Sequence, residues 1–489
     1  MILQAFRPVH WPSVTIALAA LLLAPLLGML AGTGNIMLAG GALGLLLVVA
    51  LMSRPAVSIW VILVLPLGLS GFLALGGGLA SKATWLVSVL SIILLLPSLV
   101  TLFWERKAPA YIWWALGFMA YAVLVTVADG VGPKQLLAGF KRYFQGHGLM
   151  FALAVLTFSG ALLQRWRRFF TLLAFAQLPM ALFQLLVLVP LRGGFSVGSE
   201  VTDVVAGTFG GSLVGGSNNS DLALFQITAL GFMLALLKEG VMPRQGAWWK
   251  LLCVAAPLAM GETKVVVIML PLCVAMVYLE TLARKPLQLL IVGTFTTAIT
   301  LALAQLYAQV LMDSSLELVV EDTIRYNFQE VGYGQYLLNR WTSLQFWWTS
   351  HPLSNLHTFL FGHGLSASYT SMMPGDSGTV AARYPGLGID LTAVTAMLWD
   401  LGLFGLLLFV LVMALAIWHA SQLAHRSRDA RTRAEALGVR AGLVLILLYL
   451  FYNNSVVNLV TTEIIMAALM GYLAVLSRND AQAPALPHR

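Results

Sequence analysis

Residues 392–418, TAVTAMLWDLGLFGLLLFVLVMALAIW, are apolar almost throughout and carry a single charge, Asp400. A hydrocarbon core of ~30 Å takes ~20 helical residues at 1.5 Å each, so this stretch is long enough to cross a bilayer. The segment just before it, 313–391, has the opposite character: it is polar, aromatic and charged. That contrast decides the fold, a hydrophobic scaffold interrupted by one long water-facing loop.

Working outward with the same ruler, further spans fall near 12–31, 35–52, 56–78, 84–103, 110–129, 146–164, 169–191 and 220–237. A tight hairpin follows at 249–261 and 264–281, then spans at 287–312, 439–455 and 456–476. The pattern predicts an all-α polytopic integral membrane protein with about 12–14 transmembrane helices. We expect a single membrane domain over 1–489, in which the loop 313–391 contains short helices and the active site. Composition agrees: the chain is 59% hydrophobic and 10% charged, with mean hydropathy +0.87, where soluble domains carry about 25% charged residues. Cys253 and Cys273 both lie in apolar runs, which excludes a disulfide framework and a thiolate metal site. Met1–His10 lacks the charged start and cleavage site of a secretory signal, so the first span is expected to be retained.

Orientation follows from the basic residues. With a cytoplasmic N-terminus, 19 of the 28 Lys and Arg fall on the inner side and 9 on the outer. Both termini are then cytoplasmic, and the loop 313–391 faces the external or periplasmic side. The net charge of +8 is a topology signal rather than a nucleic-acid footprint.

Several polar residues stand out from this background. Lys264, in Met260-Gly-Glu-Thr-Lys-Val, sits at the outer turn of the apolar hairpin. A charge there is expensive and points to function, unless Glu262 pairs with it or its stem reaches the headgroups. Arg340, Arg325 and Arg383 share the outer loop, and guanidinium suits phosphate because it donates two parallel hydrogen bonds while always charged. Arg340 leads into Trp341 on an amphipathic stretch, Leu337–Trp348. His363 lies between Gly362 and Gly364, which would let backbone approach a ligand and expose an imidazole suited to general-base work. Asp390 is the second candidate base, against a reading as the N-cap of the following span. Asn218, Asn219 and Asp221 read first as caps of the span at 220–237, and second as hydrogen-bonding groups for sugar hydroxyls. Lys141 and Arg142 form a small basic patch suited to anionic headgroups. Asn453, Asn454, Asn458 and Glu463 read as interhelical hydrogen-bonding groups. No nucleotide-binding loop, HExxH, GxSxG or set of acidic metal ligands is found, so neither cofactor nor metal is expected.

Four segments, in order, resemble the O-antigen ligase / Wzy-type polymerase superfamily. They are Gly207-Thr-Phe-Gly with Asn218-Asn-Ser-Asp, Gly261-Glu-Thr-Lys-Val-Val-Val, Arg340-Trp through Trp347-Trp-Thr-Ser-His-Pro-Leu to Leu360-Phe-Gly-His-Gly-Leu, and Leu398-Trp-Asp-Leu-Gly-Leu-Phe-Gly-Leu. Lys264 stands where the family usually has Arg. The family's His before its last acidic position is absent here, because that register falls at Asp390 and Leu391. The role of base passes to Asp390 or His363, and a polymerase becomes the better match than a ligase. The resemblance implies a metal-independent glycosyltransferase of the bacterial inner membrane. Its donor would be a glycan on a polyprenyl-diphosphate lipid, with Lys264, Arg340, Arg325 and Arg383 gripping the diphosphate. Asp390 or His363 would deprotonate an acceptor sugar hydroxyl. Asn218, Asn219, Lys141, Arg142 and Trp341 would touch glycan or lipid, and other polysaccharide-assembly proteins are expected partners. The competing classes are a lipid-linked glycan flippase and a non-catalytic envelope-assembly subunit. The concentration of polar residues on one face, with few charges in mid-span, favours an outer-face enzyme over a transport pathway.

Overall fold

The computed structural model describes residues 54–75, 79–193, 196–197, 200–201, 204–211, 218–261, 263–285, 316–329, 336–351, 355–371 and 377–482, with isolated positions elsewhere. The expected spans at 12–31, 35–52 and 287–312 lie outside the described residues.

The chain is an all-α polytopic membrane protein. Its principal helices are α1 (Pro55–Val64), α2 (Leu79–Glu105), α3 (Ala110–Ala128), α4 (Pro133–Phe144), α5 (His147–Val155), α6 (Gly160–Phe183), α7 (Asn219–Lys238), α8 (Ala247–Met260) and α9 (Val266–Arg284). They continue with α10 (Leu316–Phe328), α11 (Arg340–Ser350), α12 (Leu356–Phe361), α13 (Ala393–Arg426), α14 (Ala430–Tyr449) and α15 (Val460–Gln482). A two-residue antiparallel ladder, Ser196–Val197 with Glu200–Val201, is the β-structure among the described residues. Seven described helices are long and apolar enough to cross a membrane: Pro55–Leu73, Trp85–Glu105, Ala110–Ala128, Gly160–Arg192, Asn219–Lys238, Ala393–Arg426 and Val460–Gln482. The hairpin α8/α9 is apolar but shorter.

Three boundaries differ from the sequence reading. The expected span 146–164 is cut short: α5 stops at Val155, and Ser159 opens α6 by accepting a hydrogen bond from Leu162 N–H at 3.3 Å. All nine residues of α5 are buried between α2 and α15. Gly148 makes this possible, because a Cβ there would overlap the Ser91 carbonyl of α2. The expected inner loop 419–438 is largely helical, since α13 and α14 run through it to a turn at Ser427–Asp429. Asp429 caps α14 by accepting from the amides of Arg431 (3.4 Å) and Thr432 (2.9 Å). The outer connection 130–145 is also helical: Pro133 starts α4 at a position where no amide hydrogen is needed.

The loop 313–391 carries short helices, α10 to α12, and then irregular backbone with one 3₁₀ turn at Ala381–Arg383. Asn339 starts α11 in a capping box with Thr342. Trp341 and Trp348 of this helix are exposed, while Trp347 is buried and stacks on Phe359 at 5.2 Å. The polar ends of the bundle are distinct. One carries the loop and the starts of α7, α13 and α15; the other gathers the arginines near the start of α6 (165–168) and those around the turn between α13 and α14 (426–433).

Candidate functional site

The site is organised by a break in a helix. Gly402, at φ 68° and ψ −174°, interrupts α13 one residue after Leu401. A Cβ at that position would overlap the Leu360 carbonyl, so the loop can cross the helix only against glycine. The break frees the last carbonyls of the first half-helix, and each finds a donor. The His363 amide donates to the carbonyls of Trp399 (3.0 Å) and Asp400 (3.1 Å), and the Gly364 amide to that of Asp400 (2.8 Å). The Tyr121 hydroxyl donates to the Leu401 carbonyl at 2.8 Å. Gly362 and Gly364, both at positive φ, therefore serve this crossing. A Cβ at Gly362 would lie 2.6 Å from the Asp400 carbonyl oxygen.

The Asp400 side chain completes the latch. Its Oδ2 accepts from the Ser366 amide and the Tyr143 hydroxyl, both at 2.9 Å, and its Oδ1 from the Ser368 amide at 2.7 Å. A carboxylate buried this deeply needs such donors, because unsatisfied charge in a dry interior is costly.

Beside the latch lies Asp390, 7% exposed. It is not the N-cap of α13; Thr392 takes that place in a capping box with Thr395. Instead, Asp390 Oδ2 accepts from the Thr370 amide at 3.1 Å, and its backbone carbonyl from Asn454 Nδ2 at 2.9 Å. Burial pushes its pKa above the usual carboxylate value; the Thr370 hydrogen bond and the Arg142 charge oppose that shift. Arg142 donates to Ser366 Oγ at 3.4 Å and stacks on the Tyr369 ring. The next residue, Tyr143, is the one that binds Asp400. The preceding one, Lys141, stands 4.4 Å above the Trp85 ring, and burial followed by repulsion from Arg142 lowers its pKa. Arg142 and Tyr143 thus serve the cluster around Asp390 and Asp400, while Lys141 turns toward α2 and Glu463.

His363 is engaged elsewhere. Its Nε2 lies 3.4 Å from Nε2 of His351, whose Nδ1 is 2.9 Å from the Trp347 carbonyl. A carbonyl only accepts, so His351 carries its proton on Nδ1 and, when neutral, offers Nε2 as acceptor to His363. Burial lowers the pKa of both rings. The pair packs against Trp399, with His351 edge-on at 4.6 Å. The glycines flanking His363 fit its backbone to α13.

The remaining candidates scatter around this centre. Arg340 donates through Nε to the Tyr452 carbonyl and through Nη1 to Asn327, and stands 4.6 Å over the Tyr452 ring. It therefore ties α11 to the turn before α15. From that turn Asn453 donates to Ser220 Oγ at 3.1 Å, and Asn219, next to Ser220, donates to the Gly261 carbonyl at 2.9 Å. Lys264, three residues on, is exposed at the turn into α9. Separate hydrogen bonds thus fasten α11 to the turn after α14, that turn to the start of α7, and the start of α7 to Gly261. Glu262, its expected partner, lies outside the described residues. Asn218 occupies the N-cap position of α7 but donates to the Phe209 carbonyl at 3.1 Å. Asp221 accepts from Tyr449 (3.0 Å), Thr462 (2.8 Å) and Thr461. Asp221 thereby holds α7 against its neighbours rather than capping it. Glu463 likewise accepts from Gln145 Nε2 at 2.7 Å. Arg325 and Arg383 are exposed on α10 and on the 3₁₀ turn. Among the described residues, no three His, Cys, Asp or Glu side chains gather where they would hold a metal ion.

Sequence reasoning passed over Tyr143, Ser366, Ser368, Thr370 and Asp400 as site residues. Asp400 was open to detection, as the one charge in the apolar run 392–418. The others contribute backbone amides or a hydroxyl, which no residue pattern announces. No family model matches the chain, and no curated protein matches it significantly.

Proposed function

We propose that the protein is a glycosyltransferase of the bacterial inner membrane. It joins glycans from a polyprenyl-diphosphate-linked donor to an acceptor sugar hydroxyl, in the manner of the O-antigen polymerases that its motifs resemble. In this reading the loop end faces the periplasm, and the basic end and both termini face the cytoplasm. The supporting observation is a buried carboxylate, Asp390, under the influence of the Arg142 guanidinium and held by loop backbone.

Ionised Asp390 takes the proton of the acceptor hydroxyl, and burial strengthens it as a base. The acceptor oxygen attacks the anomeric carbon from the side opposite the diphosphate. The bond to the diphosphate breaks and its electron pair departs with the phosphate oxygen. Arg142 and Lys141 stabilise the developing charge, and Lys264 approaches from the neighbouring turn. Fixed cations do here what a divalent metal does in other transferases. Arg340 is a positioning residue that orders α11 through Tyr452, while Arg325 and Arg383 contribute to the field that draws in an anionic donor.

Purified full-length protein incubated with a polyprenyl-diphosphate glycan, without nucleotide, tests the reading. Longer glycans are expected from the wild type and none from Asp390→Asn. Wild-type elongation rates in both Asp390→Asn and Arg142→Ala would overturn it. In cells, loss of polymer with lipid-linked units accumulating on the periplasmic face supports a transferase; units trapped inside would point to a flippase.

A further inference from the structure

We infer that the basic end of the bundle holds a separate binding site for an anionic glycerophospholipid. A cavity of about 660 Å³ opens between α6, α7 and α15. Its α7 wall is a continuous stripe, Phe225, Thr228, Ala229, Phe232, Met233 and Leu236, at the three- and four-residue spacing of one helix face. Phe225 to Leu236 spans about 16 Å at 1.5 Å per residue. Trp166 and Phe170 of α6, with Ile465 and Leu469 of α15, close the other sides. The walls are hydrocarbon, so the occupant has a chain.

The mouth specifies the head. Arg167 bonds the Tyr472 hydroxyl at 2.7 Å and Glu435 at 2.8 Å, so its charge is compensated. Arg168 and Arg431 also line the cavity, are exposed, and form no ion pair with any described residue. Arg431 shares the field of Asp429 and Glu435, whereas Arg168 meets no described carboxylate; exposed guanidinium groups over an apolar slot match a phosphate above a fatty chain.

At ~30 Å³ per methylene-sized group, taken from the volume share of a water, the cavity holds roughly twenty such groups. That is one acyl chain; the second chain of a glycerophospholipid lies outside the slot, among the bilayer lipids. The site is at the opposite end from the donor site and does not depend on the function proposed for it.

The test is native mass spectrometry of the full chain after exposure to dioleoyl phosphatidylglycerol, dioleoyl phosphatidylcholine or a polyprenyl phosphate at equal concentration. We expect one phosphatidylglycerol retained per chain, about tenfold more than phosphatidylcholine. The double variant Arg168→Glu/Arg431→Glu should fall to the phosphatidylcholine level. Arg428→Glu, at the same end but outside the cavity, should bind as wild type. Ala229→Trp, which fills the slot, should lose retention of the glycerophospholipids. Equal retention of the two glycerophospholipids by wild type, or no effect of the double variant, would overturn the assignment. So would preferential retention of polyprenyl phosphate. Cross-links from a cysteine placed at 229 to residues 12–53 would also overturn it, by showing that the chain fills its own cavity.

Discussion

The two ends of the bundle handle charge in opposite ways. At the basic end, cations meet carboxylates: Arg167 with Glu435 (2.8 Å), Lys238 with Glu280 (3.3 Å), Arg433 with Glu239 (2.7 Å), and Arg440 with Glu280. At the loop end, no two described residues form an ion pair. Asp390 and Asp400 rest on loop amides and hydroxyls, while Arg142 and Arg340 rest on oxygen acceptors and aromatic rings. Pairing opposite charges stitches helices together and cancels the field. Carboxylates held by neutral donors are instead fixed by the loop's own backbone. The difference separates an end stitched by opposite charges from one in which the loop is fastened to buried carboxylates.

The sharpest way to break this contrast is Asp390→Asn. Glycan transfer should fall by about a hundredfold or more, as expected for loss of a general base, with the melting temperature in detergent close to wild type. A second expectation concerns pH. Burial raises the pKa of Asp390, so activity should rise with pH through a midpoint above the ordinary carboxylate value of 3.8. Arg142→Ala removes a charge that opposes this shift, and rate–pH profiles should show the acidic limb moved to higher pH. The sign for stability is opposite to that for activity. A carboxylate with a raised native pKa contributes stability that is present below 3.8 and lost as pH climbs through the native value.

Asp400→Ala tests the latch. It strands the Ser366 and Ser368 amides and the Tyr143 hydroxyl, at about 1–3 kcal/mol for each buried orphan. Limited proteolysis should cut the loop near 362–371 well before the wild type is cut. Gly402→Ala should cost about 1–3 kcal/mol through its positive φ and the overlap with Leu360, measured by denaturation in detergent. Gly160→Ala, with open space around the new methyl group, should be close to neutral in the same assay. The smallest effect belongs to the basic end. Arg433→Ala breaks a half-exposed pair with Glu239 and should cost about 1 kcal/mol or less.

How much of this was legible beforehand divides along physical lines. Long apolar runs announce themselves, because the bilayer imposes both length and composition. The spans at 84–103, 110–129 and 220–237 match α2, α3 and α7 closely. The stretch 146–164 misled because hydropathy cannot distinguish a helix sheathed by protein from one bathed in lipid. The cluster was only partly readable. Asp390 and Arg142 were named, yet Arg142 stood among the weak contacts, since nothing local in Phe140-Lys-Arg-Tyr143 points to a loop more than two hundred residues away. His363 drew attention through its glycines, whose purpose is the passage of one backbone across another.

The brevity of α5 bears on how the protein is made. Nine residues rise about 13 Å, under half the hydrocarbon thickness. One side of its surroundings comes from α15: Gly146 sits against Glu463, Gly471 against Leu153, and Arg478 donates to the carbonyls of Leu153, Ala154 and Leu156. Those partners leave the ribosome some three hundred residues later. Until they arrive, α2 covers one side of the segment and the other side and its last carbonyls stay open, so the first half of the protein must wait, half-assembled, for the last helix to enter. A nascent chain halted before residue 460 should accordingly be a target for membrane quality control.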